Sequence, residues 1–498
     1  MKKTARAEAR RTPSAARSYL VMCVLASALT ACSTAAPSAP TSGPPPTASA
    51  AKPAAPASPG VSASPAANAA AIVGASPAAS PVVVAAASPS VASPATIAAA
   101  SPSAATAPAA AAAPPSGAPT KIGVVTPLSP PGDPSAGQLI LRGAQLGAEY
   151  LNQRQGGLLS SSCPLPGPIE LVQADDSGTP EKGVAAFRKV VQSDGVVGVV
   201  GQFHSSVTLA IAPIADQLKV PLFSTQSSDV KITADHHPYV FQTHTITSDR
   251  ASAAADFVKS SGFKKIAIIA ESTDYGTGNI ESLKQALQGA AGVQIQDWTF
   301  DNKTTDISPL LLQVKAFGPD LIYNLGVGAP AYLMVKQSYE TGLMPATPML
   351  LSYDLPIRPE FWQNLGDQGK GIIFVVYYHP QEKLTDAGAW MQQQYQQQFN
   401  EPALYTSFAA FGNVLEVAEA VNQACSTDGS AVARTLETGK FTTWNLTGVS
   451  FPPSEGVDYH RIVQPLLMLQ YLQTNQDYAN ASIVYPPSMK TADVQKSP

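Results

Sequence analysis

From Lys121 onward the chain alternates between short apolar runs and longer stretches in which apolar residues return at helical spacing. "KIGVVTPL" precedes "GQLILRGAQLGAEYLNQ", "IELVQADD" precedes "PEKGVAAFRKVVQS", and "VVGVVGQF" precedes "SSVTLAIAPIADQL", after which comes "VPLFSTQS". A second series holds "KIAIIAES", "GVQIQDWTF", "DLIYNLGV", "PMLLSYD" and "GIIFVVYY", with helical patterns between most of them. The short β-rich runs predict strands, and the amphipathic stretches between them predict helices. The runs are nearly continuous in Val and Ile rather than alternating, as in strands covered on both faces of a parallel sheet. The pattern predicts an α/β fold, in a stretch long enough for two such sheets.

Upstream of Lys121 this periodicity is missing. From Ser33 to about Pro119 the chain is almost only Ala, Pro, Ser, Thr, Gly and Val, and Lys52 is its single charge. Such a segment cannot bury enough apolar surface to offset its ordering entropy, and its prolines interrupt any long helix. It is expected to be a disordered, semi-extended tether spanning 32–119. Before it, Lys2, Lys3, Arg6, Arg10, Arg11 and Arg17 stand against a single Glu8, followed by "SYLVMCVLASALTA". That run falls short of the roughly 20 apolar residues a spanning helix needs, and the layout is that of an export signal over 1–31. "LTAC" resembles the bacterial lipobox, with Cys32 as the lipidated residue and new N-terminus; the plainer reading is a signal with a chance cysteine. Each buried CH2 of a lipid contributes about 0.8 kcal/mol of anchoring.

The whole chain has 498 residues, which would suit about three domains, and removing signal and tether leaves enough for two. A net charge of −4 and the lack of a basic, aromatic-rich patch argue against nucleic acid. Of four cysteines, Cys23 would leave with the signal and Cys32 would take lipid. Cys163 and Cys425 remain, an even pair expected to be bonded in an oxidising compartment, the other reading being two buried free thiols.

Ligands of open α/β sheets sit beyond the carboxyl ends of the strands. The loops there are Thr126 to Gly137, Gln202 to Ser206, Ser224 to Ser228, Glu271 to Tyr275, Gly326 to Gly328, and Ser352 to Asp354. They are rich in hydroxyls and glycine and hold no convincing set of acid, base and nucleophile. No "GxSxG", "HExxH" or phosphate loop occurs, so an enzyme is not expected.

Several motifs carry a resemblance. "GQLILRGAQLGAEYLNQRQGG", "IELVQADDSGTPEKGVAAFRKVVQSDGVVGVVGQFHSS", "DYGTG" and "TTDISPLLLQVKAFGPDLIY" together make Lys121 to about Pro487 similar to the type I periplasmic binding proteins of the branched-chain amino acid and amide-binding group. The resemblance implies two Rossmann-like lobes with mainly parallel sheets, joined by three crossovers and closing over a ligand. Lobe 1 would take 120–245 and 379–461, lobe 2 246–378 and 462–487, with 488–498 as a tail.

It also implies site residues. Phe203, His204 and Ser205, opening a helix, would receive a ligand carboxylate, with Ser205 the best single candidate or else a plain N-cap serine. In the loop by which the family binds the ligand amine, Gln226 and Ser228 fall at the contact positions with Ser227, a further candidate, between them, although a polar turn is the plainer reading. Tyr275 would present its ring from lobe 2, unless it only packs on its own helix start. The sequence departs from the family where aromatics are usual, at Ala136 and in the loop Val327-Gly328-Ala329. The acidic residue that pairs the ligand ammonium is replaced by Tyr353 or Asp354. Asp354 facing the cleft would require a cationic ligand group, because a buried lone carboxylate is costly; Asp354 facing away would fit an amide or uncharged ligand. Tyr405, with Phe203, could wall a roomier pocket. His236, His237 and His244 could ligate a metal, but a strand and the first crossover explain them, and no metal or cofactor is expected. Trp362 and Trp390 read as packing residues. The expected protein is a monomeric, lipid-anchored extracytoplasmic carrier of a small polar ligand, amino acid or amide in type, serving an ABC permease. A sensor lipoprotein that signals rather than transports is the alternative.

Overall fold

The computed structural model describes residues 117–154, 163 and 167–496. The export signal, Cys32 and all of the tether but its last three residues lie outside the described residues.

Five strands form the first sheet: β1 (Thr120–Thr126), β2 (Ile169–Asp175), β3 (Gly198–Val200), β4 (Leu222–Ser224) and β5 (Val240–Gln242). They are parallel and ordered β2-β1-β3-β4-β5. The second sheet starts with β6 (Lys265–Glu271), β7 (Gln294–Phe300), β8 (Leu321–Leu325), β9 (Met349–Leu351) and β10 (Ile373–Val376). The hairpin β11 (Phe441–Thr442) and β12 (Thr447–Val449) stands apart, and β13 (Leu467–Gln470) and β14 (Ser482–Tyr485) complete the second sheet. Its order is β14-β13-β10-β9-β8-β6-β7, with β13 and β14 antiparallel additions at one edge. The apolar runs behave as their continuity requires: Ile122, Val124 and Val125 of β1 and Ile266 to Ala270 of β6 are fully buried.

The chain passes between the sheets three times. It leaves the first after β5 through the helix Thr247–Ser261 and returns after β10 into the helices Asp386–Phe399 and Tyr405–Ala424. The third passage runs beside the first, where Gln242 N donates to His460 O at 2.9 Å and Ile462 N to Gln242 O at 3.1 Å. The helix Tyr405–Ala424 packs along Pro134–Arg154, and Gly143 is needed there because a Cβ would collide with the Ser407 carbonyl. Cys163 and Cys425 form a disulfide with Cα atoms 5.5 Å apart.

Candidate ligand-binding cleft

Both sheets reverse their strand order once, between β1 and β3 and between β6 and β8. Such switch points open a crevice beyond the strand ends. Here a cleft of about 570 Å³, measured to its open mouth, is lined from both lobes.

On the first-lobe side, β3 ends in a loop that carries Phe203 and His204 to the helix Ser205–Leu218. No side chain caps that helix, so its first N–H groups remain free to meet an acceptor. The Ser205 hydroxyl accepts from Ser228 N and Asp229 N, each at 3.2 Å, pinning the loop after β4 to the helix start. Gln226 Nε2 donates to Thr406 Oγ1 at 2.9 Å. The buried His204 imidazole is pushed down to about 4, chiefly by burial and further by Arg358, although Asp133 opposes the shift, so the ring is neutral.

On the second-lobe side, Thr273 caps the helix Asp274–Ala286, and Gly276 fits against the Glu271 carbonyl where a Cβ could not. That is the packing reason for "DYGTG". Tyr275 extends from this turn and shares a hydrogen bond between its hydroxyl and Ser352 Oγ. Val327 N donates to Glu271 Oε1 at 2.6 Å, and Gly328 N donates to the Tyr353 hydroxyl at 2.6 Å. Burial, aided by the charge of Asp133 and opposed by the Val327 N–H, pushes the Glu271 carboxyl up to about 8.

Of the residues expected from sequence, Phe203, His204, Ser205, Gln226, Tyr275, Val327 and Tyr353 line this cleft. Ser227, Ser228, Asp354 and Tyr405 are buried and are not among its lining residues. Ser227 Oγ is 2.5 Å from Thr208 Oγ1, and the Ser228 hydroxyl holds Arg250. Tyr405 stands behind His244, its hydroxyl 3.2 Å from that ring's Nδ1. Asp354, 1% exposed, accepts from Thr406 Oγ1 at 3.1 Å and lies 3.8 Å from Arg358 Nη2. Its counter-charge is thus a protein guanidinium and not a ligand ammonium. Arg358 also donates to Asp133 Oδ2 at 2.7 Å, across the two lobes.

Arg250, Asn302 and Gly178 also line the cleft but lie outside the strand-end loops singled out from sequence, and His244, weighed there only as a metal ligand, lines it as well. Glu271 and Thr273 lay in a strand-end loop already marked as informative. Arg250 occupies the first turn of the helix Thr247–Ser261, in "TSDRAS", a polar string that reads as solvent-facing.

A family model described as periplasmic binding protein matches residues 119–476. The chain belongs to that family. It is a family of solute-binding proteins, not enzymes, and implies an extracytoplasmic location. Among curated relatives of this binding protein, a Leu/Ile/Val-binding protein homolog of Brucella melitensis is 26% identical over 321 residues, 64% of this chain and 83% of the relative. An amino acid binding protein of Pseudomonas aeruginosa is 26% identical over 308 residues, 61% of this chain and 78% of the relative. The leucine-binding protein LivK of Thermotoga maritima shares the fold with a TM-score of 0.63 at 20% identity, covering 73% of this chain and 97% of its own. A solute-binding protein of R. palustris solved with benzoate superposes at 0.61 with 20% identity, covering 74% of this chain and 96% of its own.

Proposed function

We propose that this chain is a lipid-anchored carrier that captures a small polar organic solute by closing its lobes and hands it to an ABC importer. Residues 1–31 would direct export, Cys32 would take the lipid, and the Ala/Pro/Ser-rich stretch to 119 would let the binding unit work away from the membrane. The observation that carries the reading is the cleft itself: one cavity, at the switch points of both sheets, with polar groups converging from each lobe. Asp133–Arg358 and Thr406–Asp354 join the lobes beside it. A solute touching both sides adds its contacts only to the closed arrangement and so shifts the population toward it. Ser205 with its helix start, Gln226, Tyr275 and Tyr353 are the proposed contacts. Relatives solved with isoleucine and with benzoate make a carboxylate-bearing solute the natural first choice.

Thermal denaturation of the full chain against amino acids, amides and aromatic acids tests this. A ligand specific for the folded form adds about 2.7 kcal/mol of stability at a hundredfold excess over Kd. Failure of every such compound to raise the Tm, after removal of co-purified solute, would reject solute capture.

A further inference from the structure

Arg250 is 2% exposed yet lines the cleft. Its Nη1 donates to Ser352 O and the Tyr377 hydroxyl, each at 3.3 Å, and its Nη2 donates to the Ser228 hydroxyl. The guanidinium carbon lies 5.3 Å from the Tyr275 ring centroid. Every one of these partners is neutral. Among the described residues no carboxylate lies within ion-pair distance, and Nε has no hydrogen-bond partner. The carboxylate next to it in sequence, Asp249, is taken by Arg461 at 2.6 Å. A buried cation without a counter-charge is costly, and a guanidinium cannot shed its proton to escape the cost. The planar fork matches a carboxylate, to which it can offer two parallel hydrogen bonds.

The cleft offers little to an ammonium. Asp354 is already held by Arg358 and Thr406. Glu271 is the one acidic residue in the lining; it takes the Val327 N–H, and burial raises its carboxyl to about 8, which favours its neutral form. The lining therefore carries a fixed positive charge without a balancing negative one.

We propose that Arg250 is the counter-ion for a monoanionic organic acid, a carboxylate without an adjacent ammonium, whose body rests against Tyr275, Phe203 and Tyr353. The proposal rests on the reading of the cleft as a solute site. It places the carboxylate on a guanidinium at the first crossover instead of on the helix start at Ser205.

Calorimetric titration of the full chain at pH 7 with matched probes tests it: 4-methylpentanoate, leucine and 4-methylpentanamide on one skeleton, benzoate and benzamide on another. At least one acid is expected to bind, about tenfold or more tighter than its amide, with leucine weaker than 4-methylpentanoate. Arg250→Gln should cost that acid about a hundredfold, and Arg250→Lys less. Should Arg250→Gln fail to fold, the acid, amide and amino-acid comparison on the unmodified chain still decides. Tight leucine binding that survives Arg250→Gln, or amides equal to acids, would overturn the proposal and leave solute capture standing. Silence from all five probes overturns the proposal; solute capture falls only if the wider thermal screen is silent as well.

Discussion

Two guanidiniums, Arg250 and Arg358, are each 2% exposed and each lie at the junction of the lobes. Both leave Nε without a partner. They differ in the charge around them. Arg358 has Asp133 at 2.7 Å and Asp354 at 3.8 Å, whereas Arg250 has serine, tyrosine and a carbonyl. The paired cation completes an electrostatic account within the chain and serves as a brace between lobes. The unpaired one leaves that account open, which marks a position that a solute is meant to complete.

The contrast breaks most sharply at Asp133. Asp133→Ala would remove the nearer carboxylate from buried Arg358, leaving it only Asp354 at 3.8 Å, and is expected to cost about 3 kcal/mol in urea denaturation, whereas Arg250→Met, which removes a charge that had no counter-ion, should stay within about 1 kcal/mol of the parent. Equal losses at the two sites would erase the distinction. Replacing both Cys163 and Cys425 by serine should cost about 2–4 kcal/mol without altering solute affinity, which separates fold strength from the cleft.

A third test uses pH. Glu271 is neutral below its raised value of about 8 and anionic above it, facing Asp133 and Tyr275. Binding of an acid should therefore weaken as pH rises through 8, by about tenfold at most, and Glu271→Gln should flatten the profile. The same group makes a stability contribution that is present below its ordinary value of 4.5 and lost as pH rises through 8, so Glu271→Gln should also reduce the fall in stability across that window. Smallest is Tyr275→Phe. It deletes the hydroxyl bonded to Ser352 but keeps the ring beside Arg250, and should cost about 1 kcal/mol of affinity.

The strands and their order of appearance were legible because their apolar runs are local. The loops beyond them were legible because parallel strands point their ends one way, and this placed Ser205, Gln226 and Tyr275 in the lining. What stayed hidden depends on pairings remote in sequence. Asp133 and Arg358 meet only because the lobes do, 225 positions apart. Arg250 sits among Ser, Thr and Asp in a helix's first turn, where an arginine ordinarily faces water; its burial comes from β4 and β9 loops closing around it. The spacing of Asp354 and Arg358 was visible, but nothing local said that the carboxylate turns inward to that arginine and away from the cleft.

The bond between Cys163 and Cys425 has a consequence for survival outside the cytoplasm. It closes a covalent ring with a sequence separation of 262 that contains nine of the ten strands from β1 to β10 and every lining residue of the cleft. A protease that cuts any loop inside the ring opens it but releases nothing. The damaged molecule would run as one piece until reduced, and the severed parts, still joined at the sulfurs and still packed, could go on holding solute.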